Sequence, residues 1–146
     1  MSTVHQVVSL ERRRRASVIA PAHPPRTGLL TVTPIAVQPG VLAIEVRGDV
    51  DLCTSPVLRD RLFGHLHHGD SLLIVDLRAV KFLGLAGVTD LATVRIAAVE
   101  MGIRFRVVAH TYAVLMPLRI TEMDRVLDVH PDLAHALARV SDGRTR

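Results

Sequence analysis

From Val41 to Gly48 apolar and polar positions alternate, with Leu42, Ile44 and Val46 on one face and Ala43, Glu45 and Arg47 on the other, which predicts a strand. Leu29 to Val37 reads as a preceding strand, because Thr31, Val32 and Thr33 favour extended backbone. Pro34 removes a ladder donor and so places that strand at a sheet edge or a bulge. Pro39-Gly40 is a turn signal, and the two strands form a hairpin. Ser55-Pro56 predicts a helix start, a hydroxyl cap followed by proline at the first helical position. That helix turns Val57, Leu58, Leu62 and Leu66 inward and Arg59, Asp60 and Arg61 outward, and ends over 64–69. Leu72-Leu73-Ile74-Val75, closed by Asp76, has the pattern of a central strand buried on both faces.

The spacing from Leu85 to Met101 is helical: Val88, Leu91, Val94, Ala98 and Met101 share one face, Asp90, Thr93, Ala97 and Glu100 another, and Gly102 stops it. Ile103 to Val108 alternates again, Ile103, Phe105 and Val107 against Arg104 and Arg106. A helix over Tyr112 to Thr121, kinked at Pro117, precedes a short apolar segment around Val126 and Leu127 within Asp124 to Val129, expected as a further strand. A last amphipathic helix runs from Asp132 to Val140 through Leu133, Ala136 and Leu137. The order β-β-α-β-α-β-α-(β)-α predicts an α/β fold with a largely parallel sheet.

The 146 residues suit one domain, and 49% hydrophobic content supplies one core. No apolar run reaches the length of a membrane span. Arg12 to Arg15 are followed by a prolyl stretch, Pro21 to Pro25, where a secretory signal would have its apolar region. The single cysteine, Cys53, excludes an intramolecular disulfide and fits a reducing compartment, so a cytoplasmic protein is expected. The net charge of +4 looks at first like a nucleic-acid signal, but it lies entirely in residues 1–28, where five arginines face Glu11. Residues 29–146 carry thirteen basic and thirteen acidic residues. With three Phe, one Tyr and no Trp for stacking, no nucleic-acid reading surface is implied. Residues 1–28 are expected as a disordered basic tail able to touch anionic surfaces electrostatically, 29–141 as the domain and 142–146 as a second tail.

Little of the sequence composes an active site. His65, His67 and His68 form an H-x-H-H cluster without the further matching ligands that zinc needs. Histidines at a helix C-terminus are explained by the helix dipole. Cys53 stands before the expected helix start, where a thiolate would be stabilised, yet no histidine partner lies in a recognisable local signature. Gly84 and Gly87 give only G-x-x-G, far short of a phosphate cradle. Asp49, Asp51, Asp70 and Asp76 fall near strand ends, where caps and turns commonly use aspartate. Ser17, after Arg12 to Arg15, is a short basophilic-kinase match of a kind common by chance. No catalytic residue, metal or cofactor is expected.

Gly48-Asp49-Val50-Asp51, the helix opening Ser55-Pro56-Val57-Leu58-Arg59, the strand Leu73-Ile74-Val75-Asp76-Leu77 and Val80-Lys81-Phe82-Leu83 together resemble a STAS domain, and Gly102 to Val108 and Pro117-Leu118-Arg119-Ile120-Thr121 fit the same frame. The resemblance covers residue 29 to about 140. It implies a mixed, mostly parallel sheet of four to five strands with helices packed mainly on one face. In the anti-sigma factor antagonist branch, an Asp-Ser-Ser/Thr-Gly motif opens the second helix. One hydroxyl there is phosphorylated by the partner, an anti-sigma factor of the histidine-kinase-like ATPase fold, and the phosphorylated form lets go. Here the motif positions read Gly84, Leu85, Ala86 and Gly87: the glycine is kept and every polar group is lost. Without a hydroxyl at Leu85 or Ala86 there is no phosphorylation at the family position. Leu85 either keeps the acceptor's exposed place, which favours protein contact, or folds into the core. Thr89 and Thr93, further along the helix, are candidate substitute acceptors.

What the resemblance implies is a binding protein, not an enzyme, whose partner-binding surface lies over Asp49, Asp51, Cys53, Thr54, Gly84, Leu85, Ala86, Gly87, Thr89 and Asp90. Its partner would be an ATPase-fold anti-sigma factor, with sigma-dependent transcription affected and neither a membrane nor nucleic acid read directly. A different class of function remains open beside it: a STAS scaffold or small-ligand sensor that associates with other STAS proteins, including as a homodimer. An enzyme built on Cys53 and the aspartates is the third alternative.

Overall fold

A computed structural model describes residues 30–144, with side chains characterised as far as Ala138. The expected basic tail, including Arg12 to Arg15 and Ser17, lies outside the described residues.

The hairpin forms as its alternation requires: β1 (Thr31–Gln38) pairs antiparallel with β2 (Val41–Val50). Gly40 makes the turn at φ +77°, a conformation that a Cβ disfavours. β1 is the sheet edge and its register shifts between Ala36 and Gln38, so Pro34 sits where a missing N–H does least harm. The next strand, β3 (Leu72–Leu83), is parallel to β2 and lies at the centre of a sheet ordered β1-β2-β3-β4-β5. β4 (Arg104–Val108) and β5 (Val129–His130) extend it in parallel. The helices are α1 (Ser55–Gly64), α2 (Leu85–Glu100), α3 (Tyr112–Ile120), α4 (Met123–Val126) and α5 (Leu133–Arg144).

The two sheet faces are covered unequally. On one, Ile44, Val46, Leu73, Val75, Leu77 and Val107 meet Leu58 and Leu62 of α1, Val88, Leu91 and Val94 of α2, and Val114 and Leu118 of α3. On the other, Val41, Ala43, Leu72, Ile74 and Val108 are covered by Ala136, Leu133 and Leu137 of α5. This is the expected α/β arrangement, a mixed and mostly parallel sheet with helices mainly on one face.

Four local expectations change. β3 does not close at Asp76 but runs on to Leu83, because Arg78 makes the buried carboxylate tolerable inside the strand. Arg78 Nε donates to Asp76 Oδ1 at 3.0 Å, its Nη2 to Oδ2 at 2.8 Å, and the Arg78 backbone N–H to Oδ1 at 3.0 Å. The segment around Val126 and Leu127 is the short helix α4, and the strand falls one step later at Val129–His130. Asp128, at φ +55°, makes the turn between them. Arg106, expected on a polar strand face, is buried under α5. There its Nη1 donates to the Ala136 carbonyl, while Nε stands 3.2 Å from Asp128 Oδ2. Asp90, placed by periodicity with Thr93 and Glu100, is also buried.

Candidate functional site

The start of α2 is fixed by the ends of β2 and β3. The Gly84 N–H donates to the Val50 carbonyl at 2.8 Å, which ties the last residue of β2 to the residue that precedes α2. At Gly87 the helix comes so close to that junction that an added Cβ would overlap Val50 Cγ1 and lie 2.8 Å from Leu83 Cδ1. The retained glycine is therefore a packing requirement. Gly84, by contrast, has ordinary extended backbone (φ −85°, ψ 172°) and offers α2 no side-chain cap. Leu85, the next residue, is 66% exposed, which decides between its two expected places in favour of the surface. The ring of Phe82, itself 52% exposed, lies beside Gly84, with Cε2 3.3 Å from where a Cβ there would be.

The neighbouring turn, 51–54, is held by Asp51. Its Oδ1 accepts from the N–H groups of Cys53 and Thr54, both at 2.9 Å. Thr54 answers in kind: its Oγ1 accepts from the Asp51 N–H at 2.9 Å and donates to the Asp49 carbonyl at 2.7 Å. This reciprocal pattern, which resembles a capping box, fixes the turn directly before the helix that begins at Ser55. The N-cap of α1 is Thr54 with no side-chain cap hydrogen bond, so the Ser55 hydroxyl is not a cap, and Ser55 is buried instead. Above the turn, Leu52 is 81% exposed and Cys53 is an exposed free thiol.

The expected surface residues thus gather from three segments. Asp49, Asp51, Cys53 and Thr54 belong to the end of β2 and the turn after it, Gly84 to Gly87 to the start of α2, and Thr89 and Asp90 to the turn of α2 that follows. Thr89 and Thr93 are exposed, and Thr93 Oγ1 donates to the Thr89 carbonyl at 2.9 Å. Asp90 contributes little surface. The expected partner-binding surface does not include Leu52 or Phe82. Their signal was present in the chain, large apolar residues directly beside the polar turn and the motif, but alternation alone assigns such residues to a core.

The site's electrostatics follow from burial. Burial holds the Asp90 carboxyl above its ordinary value of 3.8, against the Ser55 hydrogen bond and the charge of Arg59, with Asp60 adding to the rise. For Asp76 burial pushes upward as well, but the side-chain and backbone hydrogen bonds from Arg78, with the charges of Arg78 and His110, hold the carboxyl below 3.8. His65 is lowered by burial and by the charges of His67 and Arg61. Among the described residues no three His, Cys, Asp or Glu side chains come together as a metal-binding group, and no helix is long and apolar enough to cross a membrane.

The STAS domain family model matches residues 33–136, which span the site just described and all but the first two residues of the sheet. The chain belongs to the STAS domain family. The anti-sigma-F factor antagonist RsfB of Mycobacterium tuberculosis is 30% identical over 115 residues, 79% of this chain and 93% of RsfB. The crystal structure of an anti-sigma factor antagonist from Mycobacterium paratuberculosis superposes with a TM-score of 0.70 at 29% identity, covering 77% of this chain and 94% of that one. The SulP transporter STAS domain from Vibrio cholerae shares the fold at a TM-score of 0.56 and 18% identity, over 73% and 84% of the two chains.

Two outcomes follow. Gly87→Ala should destabilise this STAS domain by about 1–3 kcal/mol in urea unfolding, the usual cost of overpacking a filled junction. The pH dependence should also show two windows. Folded Asp90 holds its proton more tightly than the unfolded chain, so stability falls as pH rises from 3.8 through its raised pKa. The Asp76 contribution is present above 3.8 and is lost as pH falls through its lowered pKa. Thermal midpoints across acidic pH should therefore peak near the ordinary aspartate value as far as these two groups decide it, and Asp90→Asn should remove the decline on the alkaline side.

Proposed function

We propose that this STAS protein acts as an anti-sigma factor antagonist that binds an ATPase-fold anti-sigma factor in the cytoplasm, as a binding protein without catalysis, and without the phosphorylation switch at the start of α2. The similarity to RsfB and to the Mycobacterium paratuberculosis antagonist supports the general role. The observation that carries the finer reading is Leu85. It occupies the place where the resemblance puts the phosphoacceptor, it is 66% exposed, and it has no hydroxyl to receive a phosphoryl group.

The physical consequence is a docking face of changed character. A phosphorylated residue would bring about −1.5 to −2 charges to a helix N-terminus and alter whatever is docked there. Leu85 instead adds exposed apolar area next to Gly84, where the exposed Phe82 ring lies, and Leu52 is exposed on the 51–54 turn; exposed apolar area favours a protein partner over water. The Asp51–Thr54 hydrogen bonds keep the adjoining turn in one shape, which lowers the ordering cost of binding. Cys53 and Thr54 present this rigid turn, and Thr89 continues the face along α2.

Leu85→Asp puts a charge where the account requires an apolar contact. In titrations against ATPase-fold anti-sigma factors of the same organism, wild type should bind and Leu85→Asp should bind at least about tenfold more weakly. Equal affinity of the two would remove Leu85 from the interface. No binding by wild type to any such factor would overturn the reading.

A further inference from the structure

The chain enters the sheet at the end where the docking face lies. β1 runs antiparallel to β2, with Thr31 opposite Arg47 and Gln38 opposite Val41. Its first residue therefore stands opposite a position three short of Val50, at the end of β2 that leads into the 51–54 turn. Leu30, just before β1, is half-buried and packs against the core that α1, α2 and α3 cover, not against the one under α5. Residues 1–29, which lie outside the described residues, thus join the domain on the side and at the end of the sheet that carry the docking face.

Three large apolar residues are exposed along that rim: Leu52, Phe82 and Leu85. The Gly84 N–H bonds the Val50 carbonyl, the Phe82 ring lies against Gly84, Leu85 is the next residue, and Leu52 is two residues beyond Val50. The sequence holds an occupant of matching chemistry. Val18 and Ile19 are the last large apolar residues before Leu29, and Ile19 stands eleven positions before Leu30. A flexible chain of that length spans about 17–20 Å root-mean-square, and Pro21, Pro24 and Pro25 lengthen it. The distance from the start of β1 to the rim is about 15 Å, three residues along β2 and one strand spacing across. A tether matched to its span gives the highest effective concentration. Val4, Val7, Val8 and Leu10 hang on a tether of twenty residues or more and meet the rim less often.

We propose that Val18-Ile19 of this chain docks on the apolar rim of Leu52, Phe82 and Leu85 and competes there with the anti-sigma factor. This rests on the docking reading above and adds a regulation to it. With no hydroxyl at Leu85, occupancy of the face by the chain itself sets the fraction of molecules open to the partner, and that fraction scales the apparent affinity.

The test uses the full chain and a full-length variant carrying Val18→Ser and Ile19→Ser, both of which precede the first strand. Cys53, the single cysteine, is exposed on the 51–54 turn and takes a nitroxide spin label. The label should broaden the amide NMR signals of Val18 to Ala20 in wild type, and Leu85→Asp should relieve that broadening. Spin-labelled chains mixed with isotope-labelled, nitroxide-free chains should show none. Without the label, the N–H signals of Leu52, Cys53, Leu85 and Ala86 should move in the Val18→Ser, Ile19→Ser variant while those of β4 stay in place. That variant should bind an ATPase-fold anti-sigma factor about three- to tenfold more tightly than wild type. Broadening that Leu85→Asp leaves intact, with unmoved rim signals in the tail variant, would overturn the contact and leave the docking reading standing. Broadening in the mixed sample would assign the contact to a second copy and overturn the intramolecular proposal. Moved signals with unchanged affinity would overturn the competition. Failure of both wild type and variant to bind any such factor would overturn the docking reading and the competition with it, while the amide signals would still decide the contact.

Discussion

The approach of α2 to the end of β2 constrains the rest of this face. Val50 gives its carbonyl to the Gly84 N–H and its side chain to the space in front of Gly87, where a Cβ would not fit. That contact brings the helix down onto the last residues of β2 and β3, and places Leu85 at the rim of the sheet instead of above its core. It also accounts for the glycine at position 87, which answers to packing.

The buried polar groups divide the work of holding the layers together. Asp76 with Arg78 allows a carboxylate inside the central strand. Arg106 reaches from β4 to the Ala136 carbonyl and to Asp128, and so anchors α5 over the less covered sheet face. Asp90 of α2 and Ser55 of α1 are buried polar residues as well. The Arg106 contacts stand where β4 and α5 meet and add direction to apolar contacts that alone would permit sliding, whereas the Asp76–Arg78 pair lies within β3.

Most of the architecture was legible in the sequence because its signals are periodic. Alternation from Val41 to Gly48, the unbroken Leu72 to Val75 run and the spacing from Val88 to Ala98 each leave one dominant solution. Pro34 even indicated its own edge position. What escaped was decided by tertiary pairing. Arg106 and Asp90 look like surface residues by periodicity, and only the elements that cover them, α5 and α1, make them interior. Likewise Asp76 reads as a strand end until Arg78 folds back on it. At the candidate site, the resemblance located Gly84 to Gly87 and the 51–54 turn, but a pattern cannot tell an exposed Leu85 from a buried one. Leu52 and Phe82 fell outside the expected surface for the same reason.

The central claim is that this STAS protein binds its anti-sigma factor without an ATP-dependent release at the start of α2. The most direct measurement is the affinity of the full chain for an ATPase-fold anti-sigma factor after incubation with ATP and without it, followed by the intact mass of the recovered protein. The account predicts the same affinity in both conditions and no added phosphoryl group. Release on ATP together with the mass of one phosphoryl group would contradict it.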